Sequence, residues 1–229
     1  MESLKYNINI PEYIMNDNPL VTCFNLIRLQ NNIKTIDIIK NKISSEKLFI
    51  SLDTESYEKN HNYLTEVGWV IFDKTERIVK KKHYIIQEYL SFHNGDYVED
   101  NKFKYNFGES KTRPLSEVKR ILKDDLSLVN YIVGQGINND IHELEKLGID
   151  IKKFEVMRGA YKENGIIDTQ DLFAGHFFEN PISLKKGLDR FSISYRNLHN
   201  AGNYYLFFFI YRKMIILIYI SIIKIKNTK

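Results

Sequence analysis

Residues 48–55 read LFISLDTE. The short apolar run carries no helical spacing and predicts a strand over Leu48–Leu52 that stops at Asp53. Residues two apart on a strand face the same side, so Asp53 and Glu55 can converge on one cation. Their hard carboxylate oxygens suit magnesium or manganese. Such a pair standing alone more often marks a solvated turn, so the rest of the chain must decide.

Working outward, Glu66–Phe72 (EVGWVIF) and His83–Leu90 (HYIIQEYL) read as two more strands. Three strands at short spacing predict an antiparallel meander. Ser91–Pro114 is then polar and longer than ordinary connections, with Asn94-Gly95 and Gly108 as turn signals. Its Lys102, Lys104, Lys111 and Arg113 interleave with Phe103, Tyr105 and Phe107. That mix can meet phosphates and stack on bases, or form a mobile surface loop.

Beyond Pro114 the period changes. Leu115, Val118, Ile121, Leu122 and Leu126 lie at helical spacing, with a start at Ser116 or the polar residues before it. Tyr131–Val133 is a short strand ending at Gly134, and Asn138–Leu147 a helix stopped by Gly148. Gly165–Thr169 gives another strand, followed by a helix through Phe178 and one over Ser183–Phe191, capped by Ser183. Upstream, Pro19–Leu29 alternates toward an amphipathic helix. Strands first, then alternating helix and strand, predict an α/β fold: one mixed β-sheet flanked by helices.

Composition narrows the classes. Of 229 residues, 43% are apolar and 27% charged, enough for a sizeable core. One cysteine, Cys23, excludes a disulfide scaffold and any zinc site built from cysteine pairs. The net charge of +4 comes from the end of the chain, where Arg212, Lys213, Lys224, Lys226 and Lys229 meet no acid. Without them the balance is −1, so the body carries no global electrostatic commitment to nucleic acid. Met1–Asn18 carries Glu2 and Glu12 and lacks the apolar run of a secretory signal, which predicts an intracellular protein, cytoplasmic or nuclear.

Three later positions bear on the acidic pair. Asp140 follows the strand-like YIVGQ and opens a helix, where an acid also complements the macrodipole. Asp168, in IIDTQDLF, stands at a second strand-to-helix junction, and the sequence favours a structural helix cap there. His199 lies in NLHNAGN, whose Asn, Gly and small Ala imply backbone held close to something.

This order resembles the DEDDh-type 3′–5′ exonucleases of the RNase H-like superfamily. In detail it is most similar to a fungal-type branch, the RNase H-like domain of the Great-for-Full-DEAD-box suppressor proteins. LDTE, TEVGWVIFD, HYIIQEYL, NGDYVEDNK, FGES, DTQDLF, NPISL and LHNAGN carry the likeness, over roughly residues 47–203. The resemblance implies an RNase H-like mixed sheet and four acids holding two Mg2+ or Mn2+ ions. It implies Asp53, Glu55 and Asp140 as ligands, His199 as general base, and Glu66 with Asp168 in support. The family's closing motif is a histidine, four residues, then an aspartate, and here that position holds Tyr204. A phenol does not readily replace a carboxylate on magnesium.

Three segments are therefore expected: a lead-in over 1–46, helical or partly ordered; the RNase H-like domain over 47–203; and an apolar, basic tail over 204–229. Seventeen of the twenty residues from Tyr204 to Ile223 are apolar, but Arg212 and Lys213 stand mid-run, so the tail reads as packing or as atypical sequence rather than a membrane anchor. The functional expectation is a nucleic-acid-binding domain for RNA or DNA 3′ ends whose activity Tyr204 puts in doubt. An active or weakened 3′–5′ exonuclease and a non-catalytic interaction module anchored by its apolar tail are the alternatives, and a protein partner is a further expectation.

Overall fold

The structure, a computed structural model, describes residues 19–177 and 182–205. Strands β1 (Leu48–Tyr57), β2 (Asn60–Asp73) and β3 (Ile78–Ile86) form the expected antiparallel meander. β4 (Lys111–Arg113) runs parallel along β3. On the other side of β1 lie β5 (Tyr131–Gly134), β7 (Gly165–Asp168) and the two-residue β6 (Glu155–Val156), all parallel. The result is one mixed seven-stranded sheet, in the order β4-β3-β2-β1-β5-β7-β6.

Helices cover both faces, which is why LFISL is apolar at every position but Ser51. Phe49, Val70, Phe72, Val133 and Ile167 meet Ile36 and Ile39 of α1 (Pro19–Asn41), Leu172 and Phe173 of α4 (Thr169–Phe177), and Leu184 and Leu188 of α5 (Leu184–Arg190). On the opposite face, Ile50, Leu52, Trp69, Ile71 and Ile132 pack with Val118, Leu122 and Leu126 of α2 (Leu115–Leu128) and Leu144 of α3 (Asn138–Lys146). Each fully buried aliphatic or aromatic side chain contributes roughly 1.5–3 kcal/mol relative to exposure.

Several boundaries differ from the sequence reading. β1 does not stop at Asp53: pairing with β2 carries it on to Tyr57, so both acids lie inside a strand. β3 begins at Ile78 and gives way at Gln87–Tyr89 to a 3-10 turn. That turn supplies the start of α2, where the Leu115 N–H donates to the Glu88 carboxylate (3.0 Å). Gly148, at φ 63°, ends α3 as expected, with the Ile149 N–H on the Leu144 carbonyl (2.9 Å).

The Pro19 helix runs on to Asn41 and is tied to α4 by the Arg28–Asp171 ion pair and by Asn32 Nδ2 on the Asp171 carbonyl (2.9 Å). The apolar stretch read from Tyr204 to Ile223 lies outside the described residues beyond Tyr205. Among the described residues, no helix is long and apolar enough to cross a membrane.

Candidate functional site

Strand register builds the acidic face. Asp53 pairs with Gly68 and Glu55 with Glu66, and Gly68 in turn pairs with His83 on β3. Directly paired residues project from the same side, so three carboxylates and an imidazole share one patch. The register slips at once beyond it: Ser56 pairs with Leu64, leaving Thr65 as a bulge whose hydroxyl donates to the Glu55 carbonyl (2.9 Å). Bulges re-aim side chains beside functional sites.

Asp53 is 8% exposed, and its Oδ2 has no hydrogen-bond partner among the described residues. Burial, and then the charges of Asp140, Glu55 and Glu66, push its carboxyl well above the ordinary range. A buried oxygen left this way carries a full desolvation cost.

Asp140 enters from the first turn of α3. Its Oδ1 accepts both the Thr54 N–H (3.0 Å) and the Thr54 hydroxyl (2.8 Å), which docks it at the residue between Asp53 and Glu55. Burial pushes its carboxyl up to about 7, against the opposing pull of the Thr54 hydrogen bonds. Asp168 is spent differently. Its Oδ1 accepts the N–H groups of Gly136 (3.0 Å) and Gln170 (2.9 Å), a helix cap at the start of α4 that also ties down the β5–α3 turn.

His199 arrives on a segment held by asparagines. Asn200 donates to the carbonyls of Asn101 (2.8 Å) and Lys102 (3.1 Å) and accepts the Gly202 N–H (3.1 Å). Asn203 donates to the Lys104 carbonyl (2.9 Å) and accepts the Asn106 N–H (2.7 Å). The following 3-10 turn, Ala201–Tyr205, lies against β2, and a methyl on Gly68 would collide with the Ala201 carbonyl. The backbone closeness read from NLHNAGN is thus a contact with Gly68. His199 itself is at φ 61°, its ring half exposed, with Nδ1 3.8 Å from Glu55 Oε1, beyond hydrogen-bond reach.

The long polar stretch is a bracket more than a lid. Lys102 is buried and donates to the Phe92 carbonyl, and Phe107 packs on the core. Glu58 accepts the N–H groups of Gly95, Asp96, Tyr97 and Val98, anchoring the stretch to the β1–β2 hairpin. Phe103 remains exposed.

Asp53, Glu55, Asp140 and His199 line one open cleft of about 520 Å³, together with Gln135, Asn139 and Lys185. The structure thus brings four of the sequence-predicted residues together; Glu66 lies behind them, and Asp168 borders them as a cap. Tyr204 falls in the 3-10 turn. The donor set is of the kind a hard divalent cation takes, and Asp53 Oδ2 is an oxygen in want of a partner. Among the described residues, no three acids, imidazoles or thiols already stand at ligand separation. Thr54 holds one Asp140 oxygen on its own N–H and hydroxyl.

Sequence reading missed Thr54, His83 and the asparagine anchors. The repeat of Asn at 197, 200 and 203 was the available signal for the last. No pattern marked the first two, whose partners are distant in sequence.

Comparison with known proteins accords with this geometry. Residues 48–207 match the DEDDh family model described as DNA polymerase III subunit epsilon-like, C-terminal domain. An uncharacterised nucleolar protein of Schizosaccharomyces pombe is 34% identical over 166 residues, 68% of this chain and 63% of that protein. Good for full DBP5 activity protein 2 of Saccharomyces cerevisiae is 30% identical over 193 residues, 70% of this chain and 34% of that protein. An uncharacterised S. cerevisiae protein is 26% identical over 201 residues, 74% of this chain and 40% of that protein. The match thus spans less than two thirds of each relative's own length. With its mixed sheet, its acidic strand pair and this family match, the chain belongs to the DEDDh exonuclease-like family of RNase H-like domains.

Proposed function

We propose that this domain binds the 3′ end of RNA or DNA in the cleft between Asp53 and His199 and hydrolyses the terminal phosphodiester slowly. The observation that carries the reading is the partnerless buried Oδ2 of Asp53, set beside Glu55 and the docked Asp140 at the floor of an open cleft. Asp53, Glu55 and Asp140 would hold the Mg2+ or Mn2+ ions, whose chemistry when bound is charge stabilisation at the entering and leaving oxygens. His199, half exposed at the rim, takes the proton of the attacking water, a task suited to an imidazole. Lys185 lines the same cleft and offers a cation to a phosphate.

Tyr204 is the reason for expecting slow turnover, because the family places a carboxylate there. It also supports a second reading, a module that grips nucleic acid or a protein partner without cutting. One relative's name ties it to full activity of DBP5, which favours a protein partner beside the nucleic acid; another's describes it as nucleolar, which favours a nuclear setting.

The test is digestion of end-labelled single-stranded RNA and DNA with manganese, magnesium or EDTA. Metal-dependent shortening from the 3′ end, lost in Asp53→Asn, supports the nuclease. Binding with no shortening in any metal supports the second reading, and neither binding nor shortening rejects both.

A further inference from the structure

His83 sits where three parts of the site meet, and no part of the reaction described above uses it. It is 1% exposed. Its Nε2 lies 3.0 Å from Glu66 Oε2 and its Nδ1 2.8 Å from the Ser110 hydroxyl. Its ring packs at 5.1 Å on Tyr105, and a Cβ placed on Gly202 would stand 2.8 Å from its Cγ. Glu66 is 2% exposed and adds to the negative field on Asp53. A carboxylate buried this deeply needs a donor, and the tautomer that satisfies both bonds carries the proton on Nε2.

We propose that His83 is a positioning residue: it holds Glu66 behind the Asp53–Glu55 pair and seats Gly202, so that one ring fixes the carboxylates and the His199 segment relative to each other. The inference rests on the metal-site reading for its consequence at the ions, but its geometric half stands apart from it. Glu66 lies opposite Glu55 in the ladder, and Gly68 links His83 to Asp53 in register. Swinging Glu66 away would therefore alter the charge that Asp53 faces. The ring also walls the space under Gly202, whose N–H donates to Asn200 within the asparagine-anchored segment.

Two isosteres separate the bonds. His83→Gln keeps a donor near the Nε2 position, facing Glu66; His83→Asn keeps an acceptor near Nδ1, facing the Ser110 hydroxyl. In calorimetric titration with manganese alone, His83→Asn should weaken binding about tenfold, the lower end of the scale for losing outer-shell support at a metal site. His83→Gln should stay within about twofold of the parent if its amide restores the bond. Metal-free hydrogen exchange forms the second readout: amides of Gly202 and Asn203 should exchange about tenfold faster in His83→Asn than in His83→Gln, with those of β5 unchanged.

Equal affinities for parent and both variants, or Gln as damaging as Asn, would overturn the role at the ions. A parent that binds no manganese rejects the metal reading, and the positioning claim is then decided by exchange alone. Unchanged exchange at Gly202 and Asn203 overturns that claim, and global loss of β5 protection in the Asn variant assigns His83 to folding and overturns it as well.

Discussion

Asp140 is docked on Thr54 by two hydrogen bonds to one oxygen, across 86 residues of sequence. Thr54 separates the two strand acids, so its N–H and hydroxyl deliver the third acid to the pair. The helix that carries Asp140 packs on one face of the sheet while Asp53 faces the other, and they meet just beyond Ser51, where the pairing of β1 with β5 ends.

Thr54→Val keeps the shape and the N–H but removes the hydroxyl. It should cost about 1 kcal/mol, the net value of one hydrogen bond. The Asp140 carboxyl should also titrate above its present value of about 7, since the hydroxyl favours the charged form. Urea unfolding and carboxyl-carbon NMR titration check the two parts, and an Asp140 titration that moves down would contradict the docking described here.

The acidic site has a pH signature. Asp140 is raised from 3.8 to about 7, and Asp53 is raised as well. Between those values the folded state binds more protons than the unfolded chain. Their contribution is therefore fully present below about pH 4 and is lost as pH rises through about 7. Asp140→Asn keeps an acceptor for Thr54 without the charge. It should flatten the decline and leave the variant more stable than the parent above pH 7, by on the order of a few kcal/mol. Urea midpoints from about pH 4 to 8 in EDTA measure it.

Glu58 tests the bracket. Burial opposes its charge, yet four backbone N–H donors hold its carboxyl at about 2. Glu58→Gln removes the charge those donors face. Amide exchange should rise at Gly95, Asp96, Tyr97 and Val98 and stay unchanged in β2, as read by exchange mass spectrometry.

Much of this was legible in the sequence because it depends on local chemistry. The apolar runs over Leu48–Leu52 and Glu66–Phe72 gave the meander, Gly148 the end of α3, and Asp168 the cap of α4. The limits of β1 were not legible, because Asp53–Tyr57 is held in the strand by β2 and not by its own apolar content. The burial of Lys102 was hidden for a similar reason: it reads as a surface cation until the Phe92 carbonyl is brought to it. Thr54 and His83 are functional only through Asp140 and Glu66, contacts that folding creates.

Tyr204→Asp tests the proposed cause of slow turnover by placing a carboxylate in the 3-10 turn that follows His199. Magnesium-dependent shortening of a labelled strand should rise about tenfold, equivalent to about 1.4 kcal/mol off the barrier. No rise in a folded variant that still binds metal would favour the module that grips without cutting.

The most direct measurement is calorimetric titration of manganese into the parent protein and into Asp53→Asn. The site described here predicts saturable heat in the parent and none in the variant, with the far-ultraviolet circular dichroism of the two superimposed. Identical titrations in both would place the metal away from Asp53 and contradict the account.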